Sequence, residues 1–530
     1  MPLAPQIAAV SQVRRGPAAH VVASKPITVW YVTPSGAGTG NGTSWGNAFA
    51  GLQGALAVAG SGDQIWVAEG LYTPSTSDAS VSFVVPSGAR LYGGFVGTET
   101  QLSQRDPALH VSHLSGDIGQ DDILTNWPTG WNIQTANSGH ILDVSGCAVG
   151  TVVDGFEISN GAIGPVGTGA WDPLMNGGGI YANAGNVTVR NCQFHHNLAA
   201  FGSGGCIFVF DGVAQVENCS FDFNFVHGGA GAGIAMYGTS QVQVADCSFY
   251  GNHAKSISSS GGDGDGTSIY ATGTGNLVVR RSRFENNRAY SFYVSGSALG
   301  YGAGITTWVP AVVEDCEFVN NTAHLGSGFL TFSDALVVNC LFQGNTAVTL
   351  PNDPYPEGGG FGAGIVAYSY QGHEVHVVGC TFVQNHAKKF AGMETIGPGA
   401  HITVENSVFW DNHVTLSDLI GYSREQLHGN LDVSYSCIKG IFGPAAAGED
   451  LPDPSNYPGC IEDNPLFVLP GSDYRLSALS PCIDAGDNTA IPGGILYDLD
   501  GMPRLHDDPA TPDTGVGPAP VVDMGAYERQ

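Results

Sequence analysis

Cations are scarce in this chain, and their placement is its clearest chemical signal. Only 18 Lys and Arg oppose 47 Asp and Glu in 530 residues, a formal charge of −29. Yet one and three places after a recurring Asn the sequence offers His253 and Lys255, Arg288 and Tyr290, His324 beside Thr322, and His386 and Lys388. A His, Lys or Tyr can take the proton beside a uronate carboxylate, and an Arg, Lys or metal can neutralise the charge that develops. These are the needs of β-elimination in an acidic polysaccharide. The competing reading makes the same residues solvated or ladder-capping groups at bends. A second pattern lies three residues after a recurring Ile or Phe: Asn183, Phe210, Tyr237, Thr272, Trp308, Phe332 and Tyr368, five aromatics in seven places. Aligned on an open face, such rings suit the flat faces of sugars; if the strands bend early, they pack under loops instead.

Carboxylates supply the remaining candidates. In SISSSGGDGDGTS, Asp263 and Asp265 stand among glycines, where alternate carboxylates can wrap Ca²⁺ or form a solvated turn. TLPNDPYPEGGGFGAG adds Asp353, Tyr355 and Glu357. If Glu357 and Asp265 converged across a groove, they would form a general acid/base pair for glycoside hydrolysis. Near the C-terminus, Asp498, Asp500, Asp523 and Glu528 are spaced as turn and capping residues, with a structural Ca²⁺ site as the alternative. No Cys-x-x-Cys pair, His-Glu-x-x-His run, phosphate loop or dinucleotide fingerprint is present, so zinc, nucleotide and nicotinamide chemistry lack support.

What positions these residues is a repeat. Eight times between residues 192 and 412 the chain writes Cys or Ser, one residue, Phe, two residues, Asn, from Cys192/Phe194/Asn197 to Ser407/Phe409/Asn412. Each phrase ends a run such as VTVRNCQF in which apolar and polar residues alternate, the mark of a strand. Gly-rich leads such as GGGIYA and GAGITTW open a second short strand, giving strand, turn, strand, turn per unit. Units this short leave no room for crossover helices, so the expected fold is an all-β right-handed parallel β-helix with coils about 4.8 Å apart. The repeated Asn should form a ladder at a tight bend, and Phe and Cys should form interior stacks. From each Asn to the next second-strand position, taking Ile396 as the last, the gap varies from 8 to 20 residues; across the other edge it varies only from 13 to 17. Insertions therefore collect on one edge, as on the binding face of many solenoids.

The remaining features set the boundaries. Residues 1–26 read as disordered or leader-derived, 27–440 as the solenoid with its N-terminal cap, and 441–530 as a C-terminal capping region. In the N-terminal stretch opened by Thr43 and Ser44, Phe49, Leu52, Leu56 and Ala59 follow helical spacing, which predicts a short helix over the open end of the coil. Six of the 11 Cys belong to the phrase and should be small buried hydrophobes rather than disulfides; among Cys437, Cys460 and Cys482 one pair could be bridged in an oxidising compartment. So acidic a surface repels phosphate backbones and anionic bilayers, which argues against nucleic acid as a partner. No apolar run is long enough to span a bilayer as a helix.

These motifs resemble the pectin-lyase-like right-handed parallel β-helix superfamily over almost the whole chain. The Phe-x-x-Asn and Gly-Gly-x-Ile alternation resembles the repeats of chlamydial polymorphic outer-membrane proteins, which are surface adhesins. The ends, WYVTPSGAGTGNGTSW with LYGGFVGTETQLSQRD, and SPCIDAGD with VVDMGAYE, are similar to those of secreted bacterial β-helix proteins. The resemblance implies export and a cell-surface or polysaccharide setting, without naming a reaction. The Asn-Thr-Asp and Gly-His-Gly signatures of polygalacturonases are missing. The expected function is that of a secreted carbohydrate-active protein binding, and in the fuller reading cleaving, a polysaccharide or surface glycan along the variable-loop edge of coils 247–396. Its rival is a non-enzymatic adhesin or matrix protein.

Overall fold

The computed structural model describes residues 26–126, 130–132, 137–163, 176–200, 202–256, 266–291, 300–348, 360–369, 371–415, 425–443 and 454–530. Asp263, Asp265, Asp353, Tyr355 and Glu357 lie outside them. Chain direction and pairing give a parallel β-helix. One coil runs through Ile180–Asn183, Asn186–Arg190, Gln193–His195 and Leu198–Ala200. Each strand pairs in parallel and in register with its counterpart in the next coil, as Ile180 with Ile207 and Phe194 with Phe221. We number the four faces in that order; among the described residues their sheets hold 11, 14, 12 and nine strands.

Four strands per coil, not two, is a correction to the sequence reading, and its cause is a corner inside each run. Asn191 adopts φ 52° and His196 φ 56°, left-handed conformations that turn the chain. Asn218, Asp246, Arg281, Asp315, Asn339 and Asn406 repeat the first corner with φ between 44° and 55°. The corner shifts the alternation by one residue: Val187 and Val189 are buried on one side of it, Cys192 and Phe194 on the other. A second correction concerns register. Ile365 pairs with Met393, so Met393 and not Ile396 is the inward anchor of that coil, and Ile396 pairs with Tyr368 in the outward row.

Three ladders hold the stack. The Phe rings from Phe194 to Phe409 are fully buried, with neighbouring centroids 4.3–4.9 Å apart and planes within 6°. Beside them the phrase cysteines stay thiols; Cys192 Sγ, for instance, lies 3.2 Å from Arg190 O. The Asn residues form a hydrogen-bonded column. Asn287 Nδ2 donates to Phe249 O one coil back at 2.9 Å, and its Oδ1 accepts from Asn252 N at 2.9 Å. The column ends where Asn412 Nδ2 donates to Gln426 Oε1 at 2.7 Å.

Both ends depart from plain coils. The N-terminal helix spans Gln53–Val58 and buries Leu52, Ala55 and Leu56 against the core. It is shorter than the spacing predicts: Trp45–Asn47 forms a single 3-10 turn, and Phe49 enters a strand pairing with Val32. Gly51, at φ 74°, separates that strand from the helix. At the other end, residues 454–530 fold back along face three. Their Phe467, Tyr474, Leu476 and Met524 pack on the outward Leu341, Val383 and Val408. Ala526 N donates to Thr381 Oγ1 at 2.9 Å, and Tyr474 OH to Gln384 Oε1 at 3.0 Å. All 11 cysteines are free, though the thiols of Cys437 and Cys482 meet where this segment crosses the last coil. No described helix is long and apolar enough to cross a membrane.

Candidate functional site

Face one carries the aromatic residues. Ile180 and Ala182 point inward, so the places one and three after the anchor point out. Phe210 and Trp308 are 40 % and 45 % exposed, whereas Tyr237, Phe332 and Tyr368 are half-buried. Trp308 and Phe332 lie face to face, 3.7 Å between centroids, and Tyr368 follows at 5.3 Å. A row the sequence reading missed runs beside this one, at the place after each anchor. There Tyr181 and Phe208 are stacked at 5.7 Å, and Phe208 passes the contact on to Tyr237; His140, two places before its coil's anchor Leu142, covers the other side of Tyr181 at 4.6 Å. Its signal was the same period read one place after the anchor. In the outward row Thr272 stands between Tyr237 and Trp308, while the row beside it continues to Tyr270, 5.6 Å from Tyr237; among the described residues Phe332 is the ring that stacks on Trp308. Tyr237 and Trp308 thus stand two coils, about 10 Å, apart.

The predicted basic strip lies on face four and does not form one constellation. His253 pairs in register with Arg288, and Lys255 with the backbone of Tyr290, whose side chain falls outside the described atoms. Arg288 then pairs with Thr322, Thr322 with Thr346 and Thr346 with His386. His386 thus stands three coils, about 14 Å, from Arg288. His253 is buried, and burial together with the Arg288 charge pushes it down to about 4. His324 is buried as well, with Nδ1 3.0 Å from Val348 O. His386 is exposed and stacks on His413; Lys388 is half-buried. The strip therefore divides into His253, Lys255 and Arg288 at one end and His386 and Lys388 at the other.

A groove that the sequence reading overlooked lies at the corner of faces two and three. It has a volume of about 1420 Å³ and is walled by residues 101–108 at one end and 499–501 at the other. Its floor is the row of left-handed corner residues Asn191, Asn218, Asp246, Arg281 and Asp315. The signal was present: the residue before each phrase Cys or Ser is polar or charged in every one of these coils. Arg281 grips Asp246 with two hydrogen bonds of 2.7 and 2.8 Å. Asp315, one coil beyond Arg281, accepts from Asn339 Nδ2 at 3.1 Å, and burial raises its carboxyl to about 6. Glu317 beside it is also raised, chiefly by burial. The groove thus holds an exposed carboxylate fixed by an arginine and a second carboxyl that keeps its proton to near-neutral pH. Their corners are two coils, about 10 Å, apart.

The C-terminal acids are placed by backbone contacts. Asp498 Oδ1 accepts from Asp500 N and Met502 N, and Oδ2 from Glu528 N. Asp523 accepts from Asp484 N and Arg529 N, and Asp500 pairs with Arg475 at 2.5 Å. The turn and capping roles expected of Asp498 and Asp523 are seen in these contacts.

A family model for right-handed β-helix regions matches residues 124–409, more than half of the chain, and the chain belongs to that family. Two solved structures are similar to it. Pectate lyase Pel9A is 16 % identical with a TM-score of 0.41, the match covering 95 % of this chain and 96 % of that one. XylC, solved in complex with xylose, is 12 % identical with a TM-score of 0.32, covering 83 % and 87 %. At these values neither neighbour bears on what the chain does. No curated protein matches the sequence.

Proposed function

We propose that this is a secreted carbohydrate-active β-helix protein that holds a polysaccharide along the outer side of face one. The observation that carries the reading is Trp308, half exposed, backed by Phe332 and, among the described residues, stacked on by no second ring. A ring held rigid by its neighbour offers a flat apolar surface at little cost in conformational freedom, and a pyranose presents a matching face of C–H groups. Phe332 and Tyr368 on the next two coils, stacked behind it, present their edges at a coil rise of about 4.8 Å and lengthen the apolar strip that an extended polymer can follow. The acidic surface favours neutral or weakly charged chains over polyuronates, unless a metal or the face-four cations intervene.

The test is affinity electrophoresis and calorimetry of the full chain against neutral and acidic polysaccharides. Retardation by one polymer, lost in Trp308→Ala with unchanged melting, supports the reading. Equal retardation of the variant, or none by any glycan, would transfer it to a non-enzymatic adhesin or matrix protein that recognises protein partners.

Cleavage by hydrolysis is a second reading, favoured by the unequal carboxyl environments of Asp315 and Asp246 in the groove. In it Asp315 donates a proton to the leaving glycosidic oxygen, and Asp246, held by Arg281, draws a proton from the attacking water. Release of reducing ends, abolished in Asp315→Asn and falling as pH rises through about 6, is the expected result. Release that persists in this variant removes the groove from the chemistry.

A further inference from the structure

Asp484 is fully buried, and neither of its carboxylate oxygens makes a well-formed hydrogen bond; the backbone amide of Asp508 eases its charge only in part. What faces it is acidic: Asp507 and Asp513 each bring a carboxylate oxygen within 4.8 Å of the Asp484 carboxylate and of each other. The cations nearby are engaged elsewhere. Arg529 Nη1 donates to Asp508 Oδ2 at 2.8 Å, and Arg504 Nη2 donates to Gly525 O at 2.6 Å. Burial, with the charges of Asp513 and Asp507, pushes the Asp484 carboxyl up to about 6. Buried charges are ordinarily paired or bound to metal, and a carboxylate facing two others is neither.

The backbone around the three acids is already wrapped. Thr514 N and Gly515 N both donate to Asp484 O, at 2.9 and 3.1 Å, and Asp484 N donates to Asp523 Oδ1 at 2.7 Å. Pro509 and Pro512 stiffen the loop between Asp507 and Asp513, which lowers the entropy lost when both acids take one ligand. We propose that Asp484, Asp507 and Asp513 bind one Ca²⁺ ion, which fastens loop 507–513 to the turn at Asp484. All three donors are hard oxygens, and no thiolate or imidazole belongs to the cluster, which disfavours the softer transition metals. Three carboxylates supply three to six of the six to eight oxygens that Ca²⁺ takes, and water reaches the exposed Asp507 and Asp513 to complete the shell. Such irregular ligation suits Ca²⁺ better than Mg²⁺, which demands a near-octahedral shell.

The consequence is mechanical. Three residues on, Asp487 exchanges hydrogen bonds with Asn406 on the solenoid wall, at 2.7 and 2.8 Å. The ion therefore closes the last irregular loop onto a turn that is itself clamped to a coil. A second acidic group, Asp117, Asp121 and Asp122, differs in that two of its carboxylates are already satisfied. Asp117 accepts from Asp121 N and Asp122 N, and Asp122 from Asn137 Nδ2 and Asn160 Nδ2.

The experiment takes the full chain freed of metal with a chelator and adds CaCl₂, MgCl₂ or NaCl at matched ionic strength. Melting and equilibrium dialysis are followed together. Ca²⁺ should raise the melting temperature saturably, and at a hundredfold excess over Kd it should multiply the folded-to-unfolded ratio about 100-fold. Asp484→Asn should lose that rise and one bound ion per chain, while melting at or above the metal-free wild type at pH 7. Should Asp484→Asn fail to fold, the double variant Asp507→Asn/Asp513→Asn, altered at exposed positions, must show the same loss. No saturable rise, an equal rise with Mg²⁺, or a rise and stoichiometry unchanged in the variants would each overturn the assignment.

Discussion

Truncating one rung of the Asn column should cost far more than its size suggests. Asn287 is fully buried in the middle of the column. Its Oδ1 accepts from Asn252 N and Nδ2 at 2.9 and 3.0 Å, and its Nδ2 donates to Phe249 O and Asn321 Oδ1 at 2.9 Å each. Asn287→Ala strands the Asn252 amide N–H in a dry interior, which alone costs about 1–3 kcal/mol, and removes two donated bonds worth about 1 kcal/mol each. The expected loss is about 4 kcal/mol. Guanidinium denaturation of the full chain reads it as a lowered midpoint at unchanged slope, against the exposed Gln243→Ala as a control expected within about 0.5 kcal/mol of wild type. Asn287→Asp keeps both acceptors but turns an oxygen toward Phe249 O. It should be at least as damaging at pH 7 and should recover partly in acid, where the protonated carboxyl can donate. A loss below about 1 kcal/mol for Asn287→Ala would refute the reasoning, because the column would then be a consequence of the stacking rather than a support of it.

Other expectations follow from the same geometry. Burial lowers His253 from 6.5 to about 4, so the stability it lends is present above pH 6.5 and is lost as pH falls through about 4. His253→Gln should therefore flatten the acid limb of a melting-versus-pH curve by on the order of 3 kcal/mol, and an unchanged limb would contradict the burial. Trp308→Ala and Phe332→Ala should each weaken glycan binding 10–100-fold, the second by releasing the first ring from its stack; titration calorimetry checks both. Lys255→Ala, Arg288→Ala and Lys388→Ala, all outside the core, should leave the melting temperature nearly unchanged, and a shared drop would make the strip structural. A thiol reagent should find 11 reactive groups after unfolding and few before, since ten of the cysteines are buried.

Much of the fold was legible because a β-helix returns the same side chain to the same place. The phrase at Cys192, Phe194 and Asn197 names the thiol row, the ring stack and the Asn column, and each is found where the repeat puts it. Less legible was the corner at Asn191, since alternation between Val189 and Cys192 slips by one residue there and still looks like a strand. The outward ring row was legible by the same period, with five of its seven residues aromatic, but not how far each ring is exposed. That depends on neighbouring coils: Trp308 is supported by Phe332, while Tyr237 also bonds Ser203 through its hydroxyl at 2.8 Å.

The sequence by itself determined the stack, its register over most coils, and which residue types return to each face, because those follow from period and side-chain alternation. Tertiary structure alone decided what meets across long separations. The groove needs residues 101–108 and 499–501 to wall one row of corners, and the acidic cluster needs Asp484 to face a loop more than 20 residues further on. No period links such segments. Their meeting is set by how two irregular ends fold back on the solenoid, Phe467 and Met524 burying the outward apolar residues of its last coils.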